Sequence, residues 1–350
     1  MNRRADIAEV ARHARVSKST VSRVINGGYA SAEVRARVGK VIQKLGYTPW
    51  TTARNFSLGR AGCIGLVIED TQGQWIAQIL GGIEGELTQK HISLLVGSLM
   101  VRGAYDSATV SSWIRARRVA ALIFTRSTPF ERALVESARV AGIATALIAP
   151  DEEYPGLEML RSDNVGAGVI VADHLADLGH RRVAFVGGEA RTGSNTWRES
   201  VDSRHRLEGL VKGFQARGIK IPDSNAIFLR YHLDSGVEYA RRWLKLPRSR
   251  APTAVVMGND VMAIGFMRTL LAEGVRVPQD VSIIGFDDIP SASMVWPGLT
   301  TVRQEMSAMG EVACHIVLSA LERKSSAGTM HMFPMKLILR ESTGKAPGTE

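Results

Sequence analysis

The stretch VSKSTVSRVIN, from Val16 to Asn26, decides how the first part of the chain folds. Its apolar residues Val21, Val24 and Ile25 recur at helical spacing and predict a short helix with one apolar edge. The opposite face carries only basic, hydroxyl and amide side chains. The surface helix of an ordinary domain could have the same composition, so the segments on either side must decide its role.

The flanking segments predict two more helices. Asp6 and Glu9 are spaced as a capping box, which predicts that a first helix begins after Asp6. Ser17 is the predicted N-cap of the second helix, and a third helix should run from near Ser31 to Gly46. Two short helices joined by a tight turn and supported by a third form a helix-turn-helix module.

The net charge of the chain is concentrated in the same region. Residues 1–60 contain 12 Lys and Arg against 3 Asp and Glu, a net charge of +9, whereas the whole chain has 44 − 34 = +10. The remaining 290 residues therefore carry 32 − 31 = +1. A basic module on a nearly neutral body is typical of a nucleic-acid-binding protein. A solubilising tail is the alternative, but tails lack periodic apolar residues.

The second helix of such a module enters the major groove of DNA with its N-terminal end first. Lys18 and Ser19 should then reach base edges, and Arg23, one turn later, has the fork geometry that binds guanine. Hydroxyl side chains on the same helix suit phosphate oxygens. The predicted DNA contacts of this segment are Ser17, Lys18, Ser19, Thr20, Ser22, Arg23 and Asn26. The alternative is a three-helix bundle that is basic without binding DNA.

Four segments of the chain carry a family resemblance. They are IAEVARHARVSKSTVSRVING (7–27), VRARVGKVIQKLGYTPWTTARNFSLGRAGCIGLV (34–67), VRQEMSAMGEVA (302–313) and LILRES (337–342). Together they closely resemble the lac repressor (LacI/GalR-type) family of bacterial transcriptional regulators over almost the whole chain. The resemblance implies a homodimeric repressor of a carbohydrate-utilisation operon. It also implies a helix-turn-helix domain, a hinge, and a two-lobed, periplasmic-binding-protein-like core that binds a small sugar-type effector.

The sequence departs from the family pattern at three positions. Arg15 stands in the turn between the first two helices, where most relatives have Gly, and a side chain in a left-handed turn costs about 1 kcal/mol. Trp50 stands where Asn normally follows the proline. Phe56 replaces the leucine of the family's ARxL motif, which wedges into the minor groove, and Phe can also kink DNA. The resemblance thus adds Arg54 and Phe56 to the predicted DNA contacts.

The sequence predicts a helix-turn-helix domain at 1–49, a hinge at 50–60 and a core at 61–350. The hinge is too polar and too short to hold a helix alone, so we expect it to order only when two copies meet over DNA. In the core, apolar runs such as CIGLVI, AALIF and VSIIGF alternate twice over with amphipathic segments, which predicts two α/β lobes with doubly wound parallel sheets.

The predicted lobes exchange segments. A break in the pattern near Asp163 divides them, and the family resemblance implies that the chain crosses back near Ile289 and Leu321. The predicted first lobe therefore comprises about 61–162 and 291–321. The predicted second lobe comprises about 163–290 and 322–342.

Two such lobes leave a cleft at the carboxyl ends of their strands, where α/β sheets bind ligands. Aromatic faces can stack on the C–H surface of a sugar, while carboxylates and amides bind its hydroxyl groups. By match to the family's motifs, the effector contacts would be Trp75, Asp163, Arg206, Tyr231, Asn259 and Asp287. Arg206 is placed at the start of the predicted helix RLEGLVKGF, and Asp260 is predicted to cap the helix that follows it.

The segment from Gly187 to Gly209 is longer than expected in this family and is rich in arginine. It contains Arg191, Arg198, Arg204 and Arg206, with Trp197 among them. Such a cluster could hold a carboxylate or phosphate through bidentate pairs. In that case Arg198 binds an effector that is a sugar acid or a sugar phosphate. A solvated surface loop explains the composition equally well.

The sequence does not favour an enzyme. The glycine-rich VGGEARTGS matches neither G-x-G-x-x-G nor G-x-x-x-x-G-K-[ST], and no metal-ligand spacing or cofactor motif is found. His180, just before a predicted strand, is interpreted as structural. A mobility shift on promoter DNA, set against activity screens on sugars, separates a regulator from an enzyme.

Compartment and assembly follow from the remaining features. Cys63 and Cys314 are far apart, which predicts a reduced cytoplasmic protein, associated with the nucleoid. The N-terminal segment is too charged for a signal peptide, and no apolar run approaches the ~18 residues of a membrane span. A secreted solute-binding protein is therefore a weaker alternative. The C-terminal GKAPGTE is no leucine heptad, so we do not expect a tetramer formed by a tail coil.

Overall fold

The computed structural model describes residues 6–25, 28–46, 63–69, 71, 73–101, 104–126, 131–192, 196–323 and 328–348. The chain divides into two units, Met1–Gly62 and Cys63–Glu350, which we call the head and the core. Within the described ranges, no helix is both long and apolar enough to cross a membrane. The predicted hinge lies outside the described residues, so its bounds stay a prediction.

The first two helices of the head begin at the predicted caps. α1 (Ile7–Ala14) has the capping box, because the Glu9 amide donates to Asp6 Oδ1 at 2.8 Å and the Asp6 amide donates to Glu9 Oε2 at 3.2 Å. α2 (Lys18–Ile25) begins after Ser17, whose Oγ accepts the amide of the third helical residue at 3.1 Å. Each cap satisfies amides that the first turn of a helix leaves unpaired.

The third helix closes a small apolar core. α3 (Ala32–Leu45) begins after Ser31 and ends at Gly46, which adopts a left-handed φ of 57°. The three helices pack their apolar faces together. The fully buried side chains are Val10, Ala11, Ala14, Val21 and Val38.

The turn between α1 and α2 has the left-handed conformation that the sequence suggested. Arg15 has φ 55° and ψ 47°, and its amide donates to Arg12 O at 3.2 Å while the Val16 amide donates to Ala11 O at 3.0 Å. These bonds cap the last carbonyls of α1. Because Arg15 has a Cβ, the turn is strained relative to one with glycine.

The first lobe of the core begins with alternating strands and helices. In chain order these are β1 (Cys63–Ile68), α4 (Gln74–Gln89), β2 (Ser93–Ser98), β3 (Met100–Val101), β4 (Ala104–Tyr105), α5 (Ala108–Arg115), β5 (Ala121–Thr125), α6 (Arg132–Val140), β6 (Ala144–Ile148) and β7 (Glu158–Ser162). The short strands β3 and β4 form a separate hairpin that the sequence did not reveal.

The second lobe repeats the alternation. Its elements are α7 (Asn164–Asp177), β8 (Val183–Arg191), β9 (Trp197–Glu199), α8 (Val201–Ala216), a 3-10 turn (Asp223–Asn225), β10 (Ala226–Arg230), α9 (Leu233–Leu244), β11 (Ala254–Met257), α10 (Asp260–Ala272), β12 (Ser282–Asp287), α11 (Pro290–Met294) and β13 (Thr300–Arg303). The chain then forms α12 (Met306–Arg323), β14 (Met330–Phe333) and β15 (Lys336–Ile338).

Each lobe is built on one sheet. The first has the strand order β14-β7-β6-β5-β1-β2, with every pair parallel. The second has the order β10-β8-β11-β12-β13-β15, with β9 beside β8, and only β9 and β15 run antiparallel. The predicted doubly wound parallel sheets are confirmed, and their carboxyl ends supply the interlobe cleft.

The described chain crosses between the lobes three times, and two crossings lie later than predicted. The first falls between β7 and α7, as expected. The second follows Arg303, because β13 pairs with β12 before α12 packs on the first lobe. The third follows Phe333, because β14 pairs with β7 and β15 with β13. The predicted crossings near Ile289 and Leu321, and the lobe bounds drawn from them, were wrong.

His180 joins the base of the second sheet to the C-terminal segment. Its side chain is fully buried, with Nδ1 2.9 Å from Thr253 Oγ1 and Nε2 3.0 Å from both Ser282 Oγ and Gly344 O. Burial lowers the pKa of His180 to about 4. The imidazole is therefore neutral and structural at neutral pH, as predicted.

Candidate DNA-contact helix and interlobe cleft

The exposed face of α2 carries the residues that were predicted to read DNA bases. Lys18, Ser19 and Arg23 are exposed, and α2 contains no acidic side chain. The hydroxyls of Ser17 and Thr20 serve the helix itself, since Ser17 Oγ lies 2.7 Å from Ser19 Oγ and 2.8 Å from Thr20 Oγ1. A phosphate would have to share these two hydroxyls with the start of the helix.

The remaining predicted DNA contacts are only partly described. Ser22 is half-buried on α2. Asn26, Arg54 and Phe56 lie outside the described residues, so their predicted roles stay predictions.

The loop after α2 presents an aromatic side chain that sequence reasoning missed. Tyr29 is 90% exposed. Arg35 of α3 donates from Nη2 to Gly28 O at 3.1 Å and so fixes the loop beside it. No periodicity marks Tyr29, because it follows the helix and contributes nothing to the core of the head.

A cavity of about 300 Å³ lies between the two lobes of the core. The first lobe contributes Glu69, Gln74, Trp75, Ile76 and Arg126 to its wall, and Gln304 and Met306 flank the second crossing. The second lobe contributes Glu189, Trp197, Asp202, Arg206, Arg230, Tyr231, Asp234, Asn259 and Asp287. Many of these residues end or follow a strand, which is where parallel sheets bind ligands.

Arg206 is a buried cation of this cavity, and hydrogen bonds fix its position. It is 3% exposed; its Nε donates to Asn164 Oδ1 at 2.7 Å and its Nη1 to Gly258 O at 2.5 Å. Its guanidinium carbon lies 4.3 Å from the centre of the Phe286 ring. Arg206 lies in the second turn of α8, which begins at Val201, so the prediction that it opens a helix was wrong.

Asp287 combines backbone strain with a perturbed pKa. It has φ 107° at the end of β12, and its Oδ1 accepts from Gln304 Nε2 at 2.5 Å. Burial raises the pKa of Asp287 to about 6, although the nearby Arg206 guanidinium opposes this shift. Strained backbone and a shifted pKa in a cleft are features of functional sites.

Tyr231 is fixed from several sides. Its hydroxyl lies 2.7 Å from both Ser200 Oγ and Ser203 Oγ, and the guanidinium of Arg126 from the other lobe lies 4.6 Å from the ring centre. Gly188 permits this packing, because a Cβ there would come within 1.9 Å of the ring. Tyr231 therefore forms a rigid part of the wall where the lobes meet.

Three predicted residues have different surroundings. Asp163 is exposed and caps α7 by accepting the Gly166 amide at 2.9 Å, so it does not line the cavity. Arg198 also lies outside it and contacts Asp151 O at 3.3 Å. Asp260 was expected to cap α10, but Asn259 does so.

Asp260 instead joins the start of α10 to the segment after β12 and to β13. Its side chain is fully buried and accepts from the Ile289 amide at 2.9 Å and from Thr301 Oγ1 at 2.5 Å. Burial holds the pKa of Asp260 well above its ordinary value. Asn259, the actual cap, remains in the cavity wall.

The charge of the cavity does not favour an anion. The arginines are Arg126, Arg206 and Arg230, and the acids are Glu69, Glu189, Asp202, Asp234 and Asp287. Fully ionised, these side chains sum to 3 − 5 = −2.

The sequence missed Arg126, Trp197 and Arg230, because only the fold brings them to the cleft.

A helix-turn-helix head attached to a two-lobed core with a polar cleft defines a ligand-responsive DNA-binding regulator. Residues 6–49 match the model for bacterial regulatory proteins of the lacI family, and residues 172–343 match the periplasmic binding protein-like domain. The chain is 30% identical over 343 residues to the HTH-type transcriptional regulator DegA of Bacillus subtilis, covering 96% of this chain and 97% of DegA. The chain belongs to the lacI family, and it is a DNA-binding transcriptional regulator rather than an enzyme.

Solved structures agree on the fold. The lac repressor dimer bound to operator and the anti-inducer ONPF has a TM-score of 0.82 at 24% identity, covering 98% of this chain and 100% of that one. The complex of the transcriptional regulator CelR with cellobiose has a TM-score of 0.69 at 24% identity, covering 97% and 100%.

Proposed function

We propose that the protein is a homodimeric repressor of a carbohydrate-utilisation operon, and that a neutral sugar in the interlobe cavity changes its affinity for the operator. The observation that carries the ligand class is the cavity wall, which combines Trp75, Trp197 and Tyr231 with carboxylates, amides and arginines. Such a wall offers apolar ring faces and many hydrogen-bonding groups, which suits a molecule with an apolar face and several hydroxyl groups.

A sugar acid or sugar phosphate has less support. That proposal depended on Arg198, which lies outside the cavity and is already engaged with Asp151 and Glu152. Within the cavity, carboxylates outnumber guanidinium groups. An added anion would therefore face net repulsion. The CelR relative is described with cellobiose, a neutral sugar.

The heads are proposed to bind DNA through α2, with Lys18, Ser19 and Arg23 in the major groove. The exposed basic face of α2 and the net charge of +9 in residues 1–60 support this geometry. Hinge residues Arg54 and Phe56 are proposed to enter the minor groove. Two heads related by a two-fold axis would read a pseudo-palindrome.

Exposed apolar side chains on each lobe support the homodimer. Met294 at the end of α11 is 78% exposed and Trp296 is 80% exposed, and both lie in the second lobe. Val96 on the edge strand β2 of the first lobe is 47% exposed. Met294 and Trp296 are only two residues apart, and clustered exposed apolar side chains mark surfaces that bind another protein. A second copy of the chain is the occupant that a pseudo-palindromic operator requires.

Matched sugars test the proposed ligand. D-Glucose, maltose and cellobiose should include a compound that raises the melting temperature of the protein, whereas D-gluconate and glucose 6-phosphate should not. A ligand at 100 times its Kd stabilises by about 2.7 kcal/mol, which corresponds to roughly 4–5 °C for a core of this size. A shift with only the charged compounds would reject the neutral-sugar proposal. The active sugar should also change affinity for operator DNA in a mobility-shift assay.

A further inference from the structure

The arginine-rich segment forms a β-hairpin beside the cavity. We define the β8–β9 hairpin as the described residues Glu189–Thr192 and Thr196–Glu199. Its strands are antiparallel, with Glu189 opposite Glu199 and Arg191 opposite Trp197. The Thr192 amide donates to Thr196 O at 2.9 Å and closes the ladder.

The two faces of the β8–β9 hairpin contact different parts of the molecule. Glu189 and Trp197 both line the cavity. Arg198 is the next residue along β9, so its side chain points to the opposite face. There its Nη2 donates to Asp151 O at 3.3 Å and lies 3.8 Å from the Glu152 carboxylate, both in the first lobe.

Further contacts hold the hairpin and its tryptophan. Arg191 Nη1 contacts the sulfur of Met100, which lies in β3 of the first lobe. The guanidinium carbons of Arg230 and Arg191 lie 4.9 Å and 5.9 Å from the centre of the Trp197 ring. Cation–π contacts of this kind restrict an indole that would otherwise rotate.

A carboxylate of the first lobe also holds the helix that follows the hairpin. Asp151 is 4% exposed, and its Oδ1 accepts the amide of Val201, the first residue of α8, at 2.9 Å. A carboxylate at a helix N-terminus interacts favourably with the unpaired amides and the helix dipole. Since α8 also carries Asp202 and Arg206 into the cavity, the contacts of Asp151 couple the first lobe to the ligand-facing groups of the second.

We propose that the β8–β9 hairpin is a strap that fastens the two lobes over the ligand, and that Trp197 is a specificity-determining contact for the ring of a neutral sugar. The ligand class rests on the proposed function, whereas the strap rests on the interlobe contacts alone. Arg198 fastens the strap without touching the ligand. Ligand exit requires the lobes to part, so loss of Arg198 should act mainly on the dissociation rate.

Hydrogen exchange tests the strap without a ligand. In the full-length protein, Arg198→Ala should speed exchange of the Val201 amide and of the hairpin amides by about two- to fivefold. The effect is modest because Arg198 is exposed, and it arises because the hairpin can then open without breaking the contacts to Asp151 and Glu152. Arg217→Ala is the matched control, since Arg217 is a second-lobe arginine whose ion pairs, with Asp173 and Asp177, stay within that lobe. Unchanged exchange in Arg198→Ala, or an equal increase in both variants, would overturn the strap.

Sugar binding tests Trp197 separately. For whichever of D-glucose, maltose and cellobiose raises the melting temperature, Trp197→Ala should weaken binding at least tenfold by calorimetry, while Trp197→Phe should lose less than threefold. Arg198→Ala should raise the dissociation rate of that sugar about two- to fivefold, and Arg217→Ala should not. Equal binding by Trp197→Ala and the wild type would overturn the role of Trp197. If none of the three sugars binds, the ligand class falls with the proposed function, and the exchange measurement still decides the strap.

Discussion

Replacing Arg206 by alanine is the sharpest perturbation of the proposed effector site. The residue is buried in the cavity wall, where Asn164 and Gly258 hold two of its nitrogens and where it lies near Asp287. Arg206→Ala therefore removes a buried cation from the cavity wall and leaves Asp287 without its main compensating charge. We expect weaker sugar binding for both reasons.

The size of the effect follows from these contacts. A hydrogen bond to a charged group contributes about 1.5–3 kcal/mol, and 1.4 kcal/mol is about tenfold in affinity, so Kd should rise roughly 10- to 150-fold. Arg206→Lys keeps the charge but loses the fork that spans Asn164 and Gly258, so its Kd should lie between those of the wild type and the alanine variant.

Calorimetric titration with the active sugar measures this effect. Arg217→Ala is the matched control, because Arg217 also belongs to the α8 region but forms exposed ion pairs with Asp173 and Asp177. Exposed pairs contribute little to stability, so this control should bind the sugar normally. Arg206→Ala should keep its operator affinity but no longer respond to the sugar, because a ligand shifts a conformational equilibrium only through differential binding. A folded Arg206→Ala protein whose Kd lies within twofold of the wild type would refute this assignment.

Three other substitutions test the head and the cleft. Arg15→Gly should stabilise the head by about 0.5–1 kcal/mol in thermal denaturation, because relief of left-handed strain exceeds the entropy that glycine adds to the unfolded chain. Arg15→Ala keeps a Cβ, so an equal gain from that variant would argue against strain. Arg23→Ala should cost about 1–3 kcal/mol on the operator and relax its sequence preference, whereas equal losses on operator and random DNA would make Arg23 a phosphate contact. Asp287→Asn should stabilise the core at pH 8 by about 2–3 kcal/mol, because burial raises the pKa of Asp287 from 3.8 to about 6 and the wild type loses stability as pH rises through that range. The lowered pKa of His180 also costs stability as pH falls below about 6.5, but this effect is the same in both proteins. Only the difference in stability between the wild type and Asp287→Asn, measured from pH 4 to pH 8, therefore reports on Asp287. If that difference does not change with pH, the role given to Asp287 is contradicted.

Local chemistry made the head predictable from sequence. The capping residues Asp6, Ser17 and Ser31 act on amides only a few positions away, so their spacing alone located three helices. The left-handed turn at Arg15 was predicted from the family resemblance, because most relatives have Gly at that position. The alternation of apolar runs likewise revealed both sheets of the core.

The match to the family's motifs gave Trp75 and Arg206, both of which line the cavity. The other condition that predicted residues of the cleft was that they end or follow a strand. Tyr231, Asn259 and Asp287 satisfied that condition and line the cavity. Asp163 satisfied it too, but its carboxylate caps its own helix. Arg198 does not line the cavity, because it lies in the short strand β9, which the sequence did not reveal. Neighbouring residues of a strand point to opposite faces, so Arg198 points away from the cavity while Trp197 lines it.

The crossings between the lobes depend on pairing over long distances. β14 joins the first sheet beside β7, whereas β15 joins the second beside β13, although only two residues separate β14 from β15. No local pattern distinguishes these two short strands. No local pattern marks Arg126 either. It reaches the cleft because the first lobe faces the second, where its guanidinium packs on the Tyr231 ring.

Selection of DNA from a random pool, performed with the full chain and with a chain that lacks residues 1–62, tests the central claim most directly. The full chain should enrich sites with two inverted half-sites about one helical turn apart, and its affinity for them should fall steeply with salt. The truncated core should enrich no sequence and should still gain thermal stability from the active sugar. Enrichment of the same sites by the truncated core, or of none by the full chain, would contradict the account of the head as the DNA-binding unit.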